Sequence, residues 1–294
     1  MTVLSISSVA PHDFELGLRI ARSFSPDLFQ DFSVFRIAVR IQDNPTVLEM
    51  RQIRRDPPIL KVRTALPNSA SEVKRIASWI IFADLDLRPF YRIAASHSIL
   101  GTITKELHGL KPMRPASLFE MLIIAITEQQ ISLAAAYRIR TRIIERYGDR
   151  VNDLWAFPTP RRLDESSVAE LMTCGLSQRK AEYVKGVAYQ VASGLLDLGR
   201  LEMMSDEDVR SLLLQVRGLG PWSAEYVLVR GLSRPDRVPA DDLGIRSIVG
   251  RYLGGGHRLS PKGTLRKLSA FRPYRGLAAF YLLAHERMSK SASG

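Results

Sequence analysis

The chain has 294 residues, 46% hydrophobic and 24% charged, enough for two domains or for one large helical domain with an appendage. No apolar run approaches the roughly 20 residues of a membrane span, and MTVLSISSVAPHD at the N-terminus lacks the basic start and long apolar stretch of a signal peptide, so an intracellular protein with no membrane partner is expected. The net charge of +12 favours a polyanionic partner, and the single cysteine excludes an intramolecular disulfide, a four-cysteine iron–sulfur cluster and the usual cysteine-rich zinc sites.

Residues 13–24 (DFELGLRIARSF) carry apolar side chains at helical spacing, and three extended stretches follow. In Arg36–Ile41 the residues Ile37, Val39 and Ile41 share one face, with Arg36 and Arg40 on the other. Thr46–Arg54 and Ile59–Thr64 are the next two stretches, punctuated by Asp43-Asn44-Pro45 and Asp56-Pro57-Pro58. A helix over Ala70–Phe82 closes the unit. The expectation for residues 1–84 is therefore a small α+β domain with a three-stranded antiparallel meander flanked by helices.

From residue 85 to 290 the pattern is helical almost throughout, so the fold is mostly α with this N-terminal domain attached. Ser117–Thr127 and Leu133–Tyr147 are amphipathic, and Val168–Thr173 stops before Gly175. A helix from Ser177 carries the stripe Ala181, Val184, Val187, Ala188 and Val191. Cys174, in the apolar string LMTCGL, reads as buried filler rather than a nucleophile. The terminal SKSASG is expected to be disordered. Charge is unevenly divided: residues 1–84 hold 11 Lys and Arg against 9 Asp and Glu (+2), leaving 31 against 21 (+10) for residues 85–294.

Ser205–Gly250 is the most informative stretch. Ser205 with Asp208 three residues on resembles a capping box, and Val209, Leu212, Leu213 and Val216 give the following helix one buried face. Arg217-Gly218-Leu219-Gly220 stops it, and Pro221 suits the first turn of a second helix through Trp222, Ala224, Tyr226 and Val229. The two glycines permit a tight reversal, and N–H groups at the new helix start can face an anion, for which a phosphate is the natural ligand. The plainer reading is an ordinary helix–turn–helix connection.

The whole string VRGLGPWSAEYVLVRGL followed by VPADDLGIR resembles the helix-hairpin-helix superfamily of base-excision DNA glycosylases. In that family a Gly/Pro-rich loop after the hairpin leads to an aspartate at the start of the next helix. Here the loop is Gly231–Pro239 and the matching residue is Asp242, 20 positions (242 − 222) after Trp222. Acidic residues in such positions are otherwise N-caps, the reading favoured for Asp241. Breaking an N-glycosidic bond builds positive charge on the sugar, which a carboxylate at the anomeric carbon stabilises while it orients water. The nucleotide must first be flipped out of the duplex. Relatives that also cleave the strand carry a hairpin lysine nucleophile where this chain has Trp222, which argues for a monofunctional enzyme using water.

Over roughly residues 10–288 the resemblance narrows to the 3-methyladenine DNA glycosylase II family, on SLFEMLIIAITEQQISLAAAYRIRTRIIERYGD, FPTPRRL, GLSQRKAEYVKGVA and FRPYRGLAAFYLLAHER. It implies excision of alkylated purines from double-stranded DNA by a monomer with no required cofactor. The same fold also serves oxidised or deaminated bases, and a hairpin protein without turnover would merely bind damage.

Trp222 and Tyr226 match pocket aromatics of the family, or are core. Gln130 falls where the family places the side chain that plugs the gap left by the flipped base, with Gln129 as the adjacent candidate; many members use an apolar residue there. A further family aromatic aligns with Leu283, with Tyr281 nearby. Arg217, Gly218, Leu219, Gly220 and Ser223 would meet the DNA backbone. The carbonyls of Leu214, Val216 and Leu219 would hold a monovalent cation, Na+ or K+. Arg275 matches an arginine near the active site, or forms a salt bridge. His12, His97, His108, His257 and His285 include no pair at metal-ligand spacing and read as structural or solvated.

Overall fold

Four strands, rather than the three expected, build the N-terminal sheet. In the computed structural model, which describes residues 2–24, 33–66 and 69–292, β1 (Thr2–Ser7), β2 (Phe35–Ile41), β3 (Asn44–Arg55) and β4 (Pro58–Thr64) are ordered β1-β4-β3-β2, every neighbour antiparallel. The β2–β3–β4 meander is the one read from alternation. The added strand is an edge: Leu4 pairs with Val62 and Ile6 with Leu60, while Val3, Ser5 and Ser7 remain exposed. Its apolar face is two residues long, too short to stand out by periodicity. Gln42 and Asp43 both adopt positive φ (49° and 63°), the geometry of a two-residue hairpin turn whose twist matches its strands.

One sheet face buries Phe35, Val39, Ile41, Leu48, Met50, Leu60 and Val62 against α1 (Phe14–Phe24) and α2 (Ala70–Ile80). The other face is not left to solvent. After α3 (Arg88–Ala94), α4 (Ser98–Glu106), α5 (Leu118–Thr127) and α6 (Leu133–Tyr147), a hairpin of β5 (Asp149–Val151) and β6 (Leu154–Ala156) interrupts the helical region and packs beside β2. Arg36 grips Asp153 through two bonds of 2.7 and 2.6 Å, and Arg40 donates to the Phe157 carbonyl at 2.9 Å. The two arginines whose alternation marks a polar face therefore clasp a second structural unit.

The chain continues through α7 (Pro160–Asp164), α8 (Val168–Thr173), α9 (Gln178–Ala192), α10 (Leu198–Leu201), α11 (Asp206–Gln215), α12 (Pro221–Tyr226), α13 (Leu243–Leu253), α14 (Pro261–Leu268) and α15 (Arg275–Ala292). Serines set several boundaries: Ser117, Ser132, Ser167, Ser177 and Ser205 each accept from a backbone N–H in the first turn of the helix that follows. Ser205 does so from Asp208, and its hydroxyl also bonds the Asp208 carboxylate.

α5, α9, α11 and α12 share one core, in which Met121, Ile126, Val184, Leu213 and Leu228 are fully buried and Cys174 nearly so. The stripe on α9 faces it, with Val191 at its margin. Against expectation the terminal segment is helical as far as Ala292, where Ser289 donates to the His285 carbonyl; residues 293 and 294 lie outside the described residues.

α1 joins sheet and helices by burying two faces. Phe14 and Leu18 enter the sheet core, while Leu16 and Ile20 enter a core built with Phe90, Ile103, Val249 and Tyr281. Beside this joint Lys111 is almost fully buried, donating to Ser8 Oγ, Val9 O and Ala83 O at 3.1, 2.9 and 3.1 Å. Ser8 spends its one proton on Ala83 O (2.9 Å), so the 2.7 Å contact with His12 has Nδ1–H of a neutral imidazole as donor. Burial, with Lys111 nearby, pushes the His12 pKa down to about 3. The unfolded chain then binds the extra proton between the ordinary histidine range and pH 3, so stability is fully present above pH ~6.5 and lost as pH falls through that window, by up to about 5 kcal/mol. Urea midpoints measured against pH for the native chain and His12→Asn are expected to diverge there, the variant showing the shallower acid slope.

Candidate active site at the hairpin cleft

The reversal between α11 and α12 is built as its residues require. Val216 leaves the helix in an extended conformation, Gly218 turns at φ = 100°, and Leu219 N–H closes the turn on Val216 O at 3.0 Å. Gly218 is needed twice over: its φ disfavours a side chain, and a Cβ there would lie 2.4 Å from the Tyr183 Cγ on α9. Pro221 opens α12 and no side chain caps it, so its first N–H groups are left for an external acceptor. Leu219 and Ser223 are buried beneath the turn, while Arg217 reaches outward, bonded to Glu182 at 2.9 Å and lying over the Tyr183 ring.

Behind the hairpin, Trp222 and Tyr226 stack with centroids 4.9 Å apart and planes at 25°. The Trp222 indole donates to Asp242 Oδ2 at 3.1 Å. The other oxygen, Oδ1, accepts from Ile245 N–H at 2.9 Å, so the N-cap of α13 is Asp242 and not Asp241. Capping and reaching the cleft are both done by one carboxylate, because its two oxygens point different ways.

The preceding loop is fixed from both sides. Arg237 bonds Glu225 of α12, and Arg275 makes a two-bond pair with Asp236 at 2.9 and 2.6 Å. Arg275 is thus the salt bridge of its two readings, and it does not line the cleft. Gly276 lets the loop approach: a Cβ would stand 2.2 Å from Arg237 O.

These groups wall a cleft of about 1740 Å³ between the hairpin, the α5–α6 turn, the sheet and α15. Leu283 and Phe280 line it. Tyr281 does not; it is fully buried, bonded to Tyr91 and to Leu110 O, because Phe280 and Leu283, at i and i+3, share the helix face toward the cleft while Tyr281 is turned about 100° away from Phe280. On the α5–α6 turn Gln130 has φ = 54° at the cleft rim, while Gln129 points back to the hairpin, donating to Gly218 O and Ser223 Oγ at 2.8 and 3.0 Å.

Sequence reasoning passes over the charged network behind the aromatics. Glu128 is nearly buried, accepting from Tyr226 OH at 2.8 Å and pairing with Arg140 at 2.6 Å. Burial and this carboxylate hold the Tyr226 phenol protonated, well above its usual range. A helix of π type over Val227–Gly231 continues α12 and brings Arg230 to 3.4 Å from the same hydroxyl. Burial also pushes Glu120, in the cleft wall, up to about 7. As for a cation at the hairpin, the donors are three neutral carbonyls. Val216 O accepts from Leu219 N–H, and no turn or cap hydrogen bond among the described residues reaches Leu214 O or Leu219 O. Two unencumbered carbonyls without a carboxylate fit a weakly bound monovalent ion.

Comparison with known proteins gives the family. Residues 123–273 match the HhH-GPD superfamily base excision DNA repair protein family. The DNA-3-methyladenine glycosylase of Bacillus subtilis (strain 168) is 33% identical over 215 residues, covering 71% of this chain and 70% of the relative. Among solved structures, the 3-methyladenine DNA glycosylase of Archaeoglobus fulgidus shares the fold at a TM-score of 0.83 with 23% identity, over 98% of this chain and 99% of that one. The Schizosaccharomyces pombe 3-methyladenine DNA glycosylase, solved with abasic DNA, superposes at 0.58 with 28% identity, over 66% and 93%. The chain belongs to the HhH-GPD superfamily of base excision DNA repair proteins, as a hydrolase of the 3-methyladenine DNA glycosylase II type. Among the described residues no helix is long and apolar enough to cross a membrane.

Proposed function

We propose that this protein is a monofunctional glycosylase that releases alkylated purines, of the 3-methyladenine kind, from double-stranded DNA by hydrolysis. The observation that carries the reading is the Asp242 carboxylate, held by Ile245 N–H on one oxygen and by the Trp222 indole on the other, at the mouth of a cleft with an aromatic wall. A carboxylate so oriented stabilises the cation that develops on the deoxyribose as the base departs, and it reorganises little in doing so. The stacked Trp222 and Tyr226 offer a π face to a base that alkylation has made cationic, an attraction of about 0.5–2 kcal/mol.

The remaining groups divide the work of holding DNA. Gly218, Gly220 and the uncapped start of α12 present backbone N–H groups to a phosphate, with Arg217 beside them. Gln130 fills the space the flipped nucleotide leaves. With Trp222 at the lysine position of strand-cleaving relatives, water attacks the sugar, and Asp242 orients it. Leu214, Val216 and Leu219 would hold a Na+ or K+ that braces the turn; no required cofactor enters the chemistry. One chain supplies hairpin, wedge and carboxylate, so a monomer suffices.

Base release from duplexes carrying 3-methyladenine, 7-methylguanine, hypoxanthine, uracil or 8-oxoguanine tests the substrate class. The expected result is fastest release of the methylated purines. Release of 8-oxoguanine with none of the alkylated bases would sink the proposal.

A further inference from the structure

The α5–α6 turn is fastened to its surroundings by two of its own side chains, Glu128 and Gln129, and by Lys180 reaching in from α9. Glu128, at the end of α5, reaches the aromatic wall through Tyr226 and reaches α6 through Arg140. Gln129 spans to the hairpin, its one amide nitrogen donating to both Gly218 O and the buried Ser223 Oγ. Lys180, from α9, donates to Thr127 O and Gln129 O at 3.0 and 2.6 Å, closing the carbonyl end of α5. Gln130 itself stands at the tip in a left-handed conformation that few side chains adopt unless the surroundings impose it.

We propose that Gln129 is a positioning residue that ties the phosphate-gripping hairpin to the turn bearing Gln130, so that seating the hairpin on the backbone drives the Gln130 side chain into the base stack. Both Gln129 bonds come from the NH2 group, so the side chain acts as a strut of fixed length between Gly218 and the turn. The strut ends at the glycine whose close packing on Tyr183 already fixes the hairpin. Its other end adjoins a backbone that Glu128 and Lys180 hold in place. A displacement at the phosphate is then passed to the tip rather than absorbed in a loose loop. Misplacing a group of this kind by about 1 Å costs up to about a hundredfold in rate even where no reacting atom is touched.

This rests on the wedge role given to the turn under the proposed function, and its test is chosen to read that role without base release. A duplex with 2-aminopurine opposite a tetrahydrofuran abasic analogue brightens when a side chain enters the stack beside the probe. With Gln129→Ala, affinity for this duplex is expected to stay within about threefold of the native chain, while the fluorescence rise slows at least about tenfold. Ser223→Ala removes one of the two bonds, so a smaller slowing is expected. In the double variant it adds little to Gln129→Ala, because the strut is already gone. Should Gln129→Ala fail to fold, Ser223→Ala alone carries the test. A fluorescence rise at the native rate in either variant overturns the proposal, as does a loss of affinity that matches the slowing and so reports only a damaged hairpin. If instead the native chain brightens the probe yet releases no alkylated base, the function reading fails and the strut does not.

Discussion

Asp242→Asn is expected to abolish base release, by at least about a hundred- to a thousandfold, while the protein folds and binds DNA as before. The substitution separates two duties of one side chain. Asparagine is as good an N-cap as aspartate, so its amide oxygen still accepts from Ile245 N–H and α13 keeps its start. The negative charge facing the sugar is lost, and with it the stabilisation of the developing cation. Single-turnover release from a methylated duplex, read beside a thermal melt and a binding titration, checks all three points. Activity near the native rate would show that Asp242 is only a cap.

Gly218→Ala is expected to remove stability and DNA grip together. The left-handed φ of 100° costs a side chain about 1 kcal/mol, and the new methyl would stand 2.4, 2.6 and 2.8 Å from Cγ, Cβ and Cδ2 of Tyr183. Those atoms sit near the root of the tyrosine, where it has least freedom to move, so α9 and the hairpin must part. A loss of about 2–4 kcal/mol in urea unfolding follows, together with at least about tenfold weaker binding to undamaged duplex. Gly186, also on α9, is the contrast. A Cβ there meets nothing within 4 Å, so Gly186→Ala is expected to raise stability by about 0.5–1 kcal/mol.

Much of this site is legible in the sequence because its key features are local. Gly218, by its left-handed φ, and Pro221, by its fixed φ at the start of α12, specify the turn, whereas Gly220 is extended with open space around it; Asp242 follows at the distance a fixed loop requires. Other positions depend on partners far along the chain. Glu128 looks like the polar end of an apolar helix until Tyr226, 98 residues away, is placed against it. Arg36 and Arg40 alternate like a solvent-facing row, yet both meet the β5–β6 hairpin more than a hundred residues later, at Asp153 and Asp149. β1 shows only Leu4 and Ile6 as signal, and it is a strand because β4 offers an edge to pair with. Tyr281 and Leu283 illustrate a finer limit. Neighbouring positions on one helix face different ways, and sequence alignment alone does not say which of them looks into the cleft.

On the proposed function Trp222 stands where an amine nucleophile would otherwise be, and its indole N–H is bonded to Asp242. Nearby lysines are engaged elsewhere: Lys111 in its buried bonds to Ser8, Val9 and Ala83, and Lys180 on the carbonyls of Thr127 and Gln129. Under the proposed function, the attack on the sugar then falls to water.

Single-turnover excision from a 7-methylguanine duplex, quenched with and without borohydride, tests that assignment most directly. The prediction is free base and an intact abasic strand, with no protein–DNA adduct in either quench. A borohydride-trapped covalent complex, or cleavage of the strand in step with base release, would show an amine nucleophile and contradict the account.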